Sequence, residues 1–222
     1  MMTKVRAVIF DVYHTLLVAG PPPDNAAERW TEWWQKYLGD APALSLAQFD
    51  EACRNVVAQD HARMKQEGAR WPEVDWRSVA ARAAEALSGL DREQLDAFLS
   101  GHAKLQRRTQ AAPGAVAFLM QMRQRGILTG IASNAQHYTF GEMEAAGIHG
   151  GGFARDLCFW SFEHGFSKPD PAVFAWLTAR LEERGIRPEE ILMIGDRIDN
   201  DISPARAAGW QTWHFQGSWP GL

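Results

Sequence analysis

From Pro113 onward the sequence alternates short β-branched apolar runs with longer stretches of helical period, and this alternation constrains the fold more than any other feature. Pro113-Gly114 opens a helix carrying Phe118, Leu119 and Met122 and closed by Gly126. Residues 127–132 read as a strand, 138–146 as a short helix ended by Gly147, and 157–160 as a strand. A helix over 171–184 is closed by Gly185, and 191–194 is a strand ending in Gly195-Asp196. A helix over 204–208 ends at Gly209, and 212–215 is the last strand. Short apolar runs between punctuating glycines are buried strands, and the periodic stretches are amphipathic helices. Repeated strand–helix units build an α/β domain, a parallel sheet with helices on both faces.

The first strand of that sheet lies far upstream, at 5–10, and ends at Asp11. After Leu17 the texture changes. Gly20-Pro21-Pro22-Pro23 breaks the chain, and Asp24 or Asn25 is placed to cap a following helix. From there to about Ala112 the period is helical. Trp30, Trp33, Trp34 and Tyr37 or Leu38 form one stripe, and Phe49, Cys53, Val56, Val57 and Met64 a second. Val79, Ala83, Ala86 and Leu87 form a third, and Leu95, Phe98, Leu99 and Leu105 a fourth. Four amphipathic helices without strands read as a bundle. The expected division is therefore 1–18 with 112–222 as an α/β core, and 19–111 as a helical insert, joined at 18–24 and 107–114.

Composition narrows the partners. With 23 basic and 27 acidic side chains the net charge is −4, which gives no electrostatic footprint for nucleic acid or an anionic membrane. An anionic substrate has to be attracted by a local site. Two cysteines, Cys53 and Cys158, do not make a disulfide framework and read as small buried hydrophobes. No apolar run approaches the roughly 20 residues that span a bilayer, and Asp11 cuts the N-terminal apolar stretch too early for a signal-peptide core. The expectation is a cytoplasmic protein acting on a small, anionic molecule, with oligomeric state left open.

In open α/β sheets ligands bind beyond the carboxyl ends of the strands. Four polar groups fall at such ends: Asp11 in Asp11-Val12-Tyr13-His14-Thr15-Leu16, Ser133-Asn134, Lys168 in Ser167-Lys168-Pro169-Asp170, and Asp196 followed by Asp199, Asn200 and Asp201. Singly, each fits a cap or a turn. In this order they resemble the four motifs of the haloacid dehalogenase (HAD) superfamily, and the similarity covers the α/β part of the chain. The resemblance implies a Rossmann-like core with the insert as a helical cap. It implies Asp11 as nucleophile, Ser133 binding the transferred group together with Thr15 and Asn134, and Lys168 as the orienting cation. It further implies Mg²⁺ held by Asp11, Asp196, Asp201 and the main-chain carbonyl of Tyr13. Charge supports the same reading. Three converging carboxylates with one lysine repel one another, and a hard divalent cation with oxygen ligands removes the conflict.

One position departs from the pattern. Superfamily phosphatases carry a second Asp two residues after the nucleophile, as acid and base, and here it is Tyr13. Such a group is worth ~10²–10⁴ in rate. Tyr13 with Thr15-Leu16 looks like the metal-free 2-haloacid dehalogenase branch, in which halide leaves without a proton. Asp196 and Asp201 look like the metal-binding phosphatase version. The acidic cluster carries more weight, because it must be neutralised. The expectation is a phosphatase forming an aspartyl-phosphate and favouring aryl or acyl phosphates over sugar phosphates. The alternatives are a dehalogenase-like hydrolase and a weakly active or inactive binding member. Tyr13 and His14 are candidate substitute acids, with His14 read as a loop residue pointing elsewhere. Trp30, Trp33 and Trp34 read as bundle packing. Arg29 and Arg107-Arg108 read as hinge charges, with contact to a substrate carboxylate or phosphate as the alternative.

Overall fold

A computed structural model of the chain describes residues 4–148 and 152–219. Its centre is a five-stranded parallel sheet of β1 (Ala7–Phe10), β4 (Leu128–Ser133), β5 (Cys158–Trp160), β6 (Ile191–Gly195) and β7 (Gln211–His214), in the order β5-β4-β1-β6-β7. The chain moves outward from β1 to β4 and β5, then returns to the other side of β1 for β6 and β7. β1 is therefore central, in register with β4 through Phe10 opposite Ile131 and with β6 through Phe10 opposite Ile194.

Successive side chains of β1 go to opposite faces, as strand geometry requires. Val8 and Phe10 pack with Phe118 and Met122 of α5 (Ala115–Gln124), Met143 of α6 (Thr139–Ala145) and Trp219. Ala7 and Ile9 pack with Val173, Phe174 and Leu177 of α8 (Pro171–Glu182), Ala205 of α9 (Ser203–Ala207) and Trp210. A one-turn helix, α7 (Ser161–His164), follows β5 directly.

The helical insert is α1 (Ala26–Leu38), α2 (Leu46–Gln66), α3 (Trp76–Ala83) and α4 (Arg92–Gln106) around a core of its own. Ser45 with Gln48, and Asp91 with Gln94, form capping boxes that start α2 and α4. Trp30 stacks on Phe49 with ring centroids 5.0 Å apart and meets Trp34 at 5.2 Å, so two of the three clustered tryptophans are buried packing. The third stripe breaks at Ala84, whose extended backbone ends α3 and puts Leu87 on a short 3₁₀ turn.

The joints differ from the sequence expectation. The segments read as irregular connections are strands, β2 (Leu17–Gly20) and β3 (Arg108–Ala111), paired antiparallel with Leu17 opposite Ala111. Both are only four residues long, and β3, with Arg108, Thr109 and Gln110, lacks the apolar run that marks a strand in sequence, while β2 is apolar but is cut off at once by the prolines that follow. No described helix is long and apolar enough to cross a membrane. Cys53 is buried and Cys158 half-buried, both as free thiols.

Candidate active site

The carboxyl ends of the three central strands deliver the chemistry. Asp11 follows β1, and its N–H continues the ladder to Ile194 O at 2.9 Å. Ser133 ends β4. Gly195 ends β6, and the chain then makes a single π turn over Ile198–Ile202 that brings Asp201 back over the strand end. A Cβ on Gly195 would lie 2.4 Å from Asp201 Oδ2, so only glycine lets that carboxylate settle there. The Asp201 carboxylate does not cap the following helix. It accepts from Arg197 N–H at 3.0 Å, which closes its own turn. Lys168 lies in the loop before α8, where Asp170 caps the helix through Ala172 N–H at 2.9 Å and Pro171 takes the first turn.

Asp11, Asp196 and Asp201 place carboxylate oxygens within 4.8 Å of one another. Lys168 Nζ reaches Asp11 Oδ1 at 2.7 Å and also donates to Asp201 Oδ1. All three partners are at least nine-tenths buried. Burial, opposed by Lys168 and reinforced by Asp201, pushes the Asp11 carboxyl up to about 6. Burial and then the Asp201 charge raise Asp196 as well. Burial works against the Lys168 ammonium, but Asp11 and Asp201 outweigh it and hold it above its ordinary range. One lysine thus leaves the repulsion among three carboxylates only partly answered. The set is all oxygen, hard and excess in negative charge, and it fits a divalent cation such as Mg²⁺.

Ser133 and Thr15 are fully buried, and neither hydroxyl has a hydrogen-bond partner. Buried hydroxyls without partners are uncommon, and at a strand end they are available to a ligand oxygen. Asn134 was expected beside them as a substrate contact. Instead its carboxamide accepts from Lys168 N–H at 2.8 Å and donates to Lys168 O at 2.9 Å.

The Tyr13 phenol is spent on its neighbours. It donates to Glu142 Oε2, accepts from Arg107 Nη2 at 2.7 Å, and meets Thr139 Oγ1 at 2.8 Å. Burial and then Glu142 hold its proton tightly, against the pull of Arg107. That arrangement makes Tyr13 a poor acid for a leaving group. His14 is exposed, with φ of 62°, and its N–H bonds Leu17 O at 2.6 Å inside the turn.

The insert is stitched to the core beside these loops. Glu73 N–H donates to Gly165 O at 3.0 Å, and Ser161 Oγ donates to Glu73 Oε2 at 2.7 Å. Gln136 donates to Val74 O at 2.8 Å and accepts from Trp76 N–H at 3.0 Å. Between insert and core lies a cavity of about 290 Å³ lined by Tyr13, Glu73, Trp76, Arg107, Asn134 and Gln136, among others. A larger cavity, about 680 Å³ against α6 and β5, touches none of the expected site residues. Sequence reading missed Glu73, Gln136 and Glu142. They lie in no motif, and only the folded chain brings them to Tyr13 and Asn134.

Residues 5–209 match the family model for haloacid dehalogenase-like hydrolases. The chain is 35% identical over 101 residues to a glyceraldehyde 3-phosphate phosphatase from Methanopyrus kandleri, which covers 45% of this chain and 41% of the relative. The chain thus spans less than half the length of that relative. It is 29% identical over 218 residues to a ribulose-1,5-bisphosphate 5-phosphatase from Halopiger xanaduensis, covering 96% of this chain and 85% of the relative. A 2-haloacid dehalogenase from Pseudomonas syringae pv. Tomato DC3000 shares the fold, with a TM-score of 0.62 at 19% identity over 98% of this chain and 90% of that one. The four strand-end motifs, the parallel sheet and the family match agree: the chain belongs to the haloacid dehalogenase-like hydrolases.

Proposed function

We propose that this hydrolase is a magnesium-dependent phosphatase of a small phosphorylated metabolite, working through Asp11. The observation that carries this reading is the convergence of the Asp11, Asp196 and Asp201 carboxylates on one another, with a single lysine paired to Asp11 and Asp201. Asp11, Asp196, Asp201 and the Tyr13 carbonyl are the groups that would hold Mg²⁺. When bound, the ion offsets the repulsion between an anionic nucleophile and an anionic phosphate. The Asp11 carboxylate attacks phosphorus, the P–O bond to the alcohol breaks, and an aspartyl-phosphate forms that water hydrolyses. Lys168, Ser133 and Thr15 bind the phosphoryl oxygens. Asn134 positions Lys168 through its main chain and lines the cavity for the organic part of the substrate. The insert, 19–111, acts as a cap over the core, 1–18 with 112–222, excluding water while the organic part of the substrate occupies the cavity beneath it.

With the Tyr13 proton held by Glu142, the departing alkoxide lacks a close acid. Good leaving groups are therefore favoured. Aryl and acyl phosphates should turn over faster than sugar phosphates.

A panel of phosphate esters and 2-haloacids, assayed with Mg²⁺ and with chelator, tests the proposal. Phosphate release that requires Mg²⁺ and disappears in Asp11→Asn is the expected result. Unchanged release in Asp11→Asn would overturn the covalent mechanism, and chloride release in chelator would favour a dehalogenase.

A further inference from the structure

The cavity between insert and core reaches Arg107. A second cavity of about 260 Å³ lies beyond it, lined by Asp50, Arg54, His102 and Gln106. Trp76, Arg107 and Tyr138 line both cavities and so form their shared wall. The first is lined by Tyr13 and Asn134, which closely follow Asp11 and Ser133 in the chain. On the phosphatase reading, with the organic part of the substrate in this first cavity, a molecule esterified at the Asp11 end extends toward Arg107.

The carboxylates lining these cavities are already engaged. Asp50 Oδ1 pairs with His102 Nε2 at 2.8 Å, and Oδ2 accepts from Gln106 Nε2 at 2.7 Å. Glu73 accepts from Ser161 Oγ and from Val74 N–H at 2.9 Å. The cations keep donors to spare. Arg107 uses Nη2 on Tyr13 and Glu142, while its Nε is buried without a partner. Its guanidinium lies 4.7 Å from the Tyr13 ring centroid and 5.4 Å from that of Tyr138, which fixes its plane. Arg54, exposed at the second cavity, makes no ion pair among the described residues. A buried N–H without an acceptor carries a desolvation cost that a ligand oxygen would recover. A fixed guanidinium fork is shaped for carboxylate or phosphate oxygens.

We propose that the second cavity is a subsite for a second anionic group on the substrate, a carboxylate or a second phosphate distal to the phosphate cleaved at Asp11, and that Arg107 and Arg54 read it. The direction of the substrate rests on the phosphatase reading above. The subsite itself rests on the engaged carboxylates, the unpartnered Nε of Arg107 and the unpaired Arg54.

The test compares propyl phosphate, 3-(phosphonooxy)propanoate and propane-1,3-diyl bisphosphate, which differ only at the distal end. With Mg²⁺, at least one of the two doubly anionic esters should exceed propyl phosphate in kcat/KM by about tenfold, mainly through KM, as expected for one charge-assisted contact. Which one gains tells carboxylate from phosphate. Arg54→Gln and Arg107→Gln should each cut that advantage to about threefold or less, and Arg107→Lys should restore part of it. Arg54 is exposed and unpaired, so its variant keeps the test decisive if Arg107→Gln fails to fold. The same three compounds are titrated calorimetrically into Asp11→Asn protein, where tighter binding of a doubly anionic ester supports the subsite even if no ester is turned over. Absence of turnover alone would count against the phosphatase reading. Equal binding of all three, or an advantage unchanged in both arginine variants, would overturn the subsite.

Discussion

The carboxamide of Asn134 holds the main chain of Lys168 at both its N–H and its carbonyl, 2.8 and 2.9 Å away. That pair joins the end of β4 to the loop before α8, so the ammonium between Asp11 and Asp201 is set by a neighbour as well as by its own stem. Asn134→Ala removes both bonds and leaves the two Lys168 main-chain groups to find other partners, at about 1–3 kcal/mol. Misplacement of the ammonium should lower kcat by about 10–100-fold with little change in KM. Steady-state kinetics and denaturant unfolding check this. An unchanged kcat would mean that Lys168 is placed by its ion pairs alone.

Gly195 makes a separate prediction. Alanine there brings a Cβ to 2.4 Å from Asp201 Oδ2 and 2.5 Å from its Cγ. Asp201 is 1% exposed and tied to Lys168 and Arg197 N–H, so it has little room to give way. Gly195→Ala should displace the carboxylate and weaken apparent Mg²⁺ affinity by about 10–100-fold, the range for perturbing groups that orient metal ligands. Activity titrated against Mg²⁺ measures the effect. A midpoint equal to wild type would refute it.

These two residues also mark how far the sequence could be read. The strand ends carrying Asp11, Ser133 and Asp196 were legible because β-branched runs bounded by glycine announce buried parallel strands. The roles of Lys168 and Asp201 came from the resemblance to the superfamily's motifs. Asn134 was legible as a site residue but its bond to the 168 main chain was not, since a side chain next to Ser133 can turn to the substrate or to that main chain, and spacing does not choose. Glu142 and Glu73 were invisible. One is an ordinary charge on a short helix and the other sits in a loop of the insert, and each meets Tyr13 or Ser161 through a contact more than 80 residues apart in the chain. β2 and β3 escape the pattern because each is only four residues long: β2 is a brief apolar run before the prolines, and the polar β3 is held by its backbone ladder and leaves almost no side-chain pattern. Arg107 was read as a hinge charge. It does directly precede β3, but its guanidinium points to the Tyr13 phenol.

Tyr13 separates acid catalysis from scaffolding. Its proton goes to Glu142, so Tyr13→Phe should keep turnover of aryl phosphates within about threefold, far from the ~10²–10⁴ loss of removing a working acid. Tyr13→Asp, which supplies a carboxyl two residues after the nucleophile, should raise turnover of sugar phosphates relative to aryl phosphates. Rates measured against leaving-group pKa discriminate the cases. A loss of two orders of magnitude in Tyr13→Phe would restore the phenol as the acid.

Protons and metal should compete at the same carboxylates. In the metal-free fold burial and Asp201 raise Asp11 to about 6 from an ordinary 3.8. Between these two values the folded state therefore binds more protons than the unfolded chain. Metal-free stability from this group falls as pH rises through that window and is flat above it. A bound divalent cation needs the carboxylate ionised, so apparent Mg²⁺ affinity should drop about tenfold per pH unit below about pH 6. The raised Asp196 works in the same direction. Thermal unfolding with and without Mg²⁺ from pH 5 to pH 8 reads this directly. The rise in Tm on adding Mg²⁺ should be full at pH 8 and should shrink below pH 6. In Asp11→Asn it should be small throughout and depend less on pH. An increment constant across the range in the wild type would show that Asp11 does not share the site with the ion.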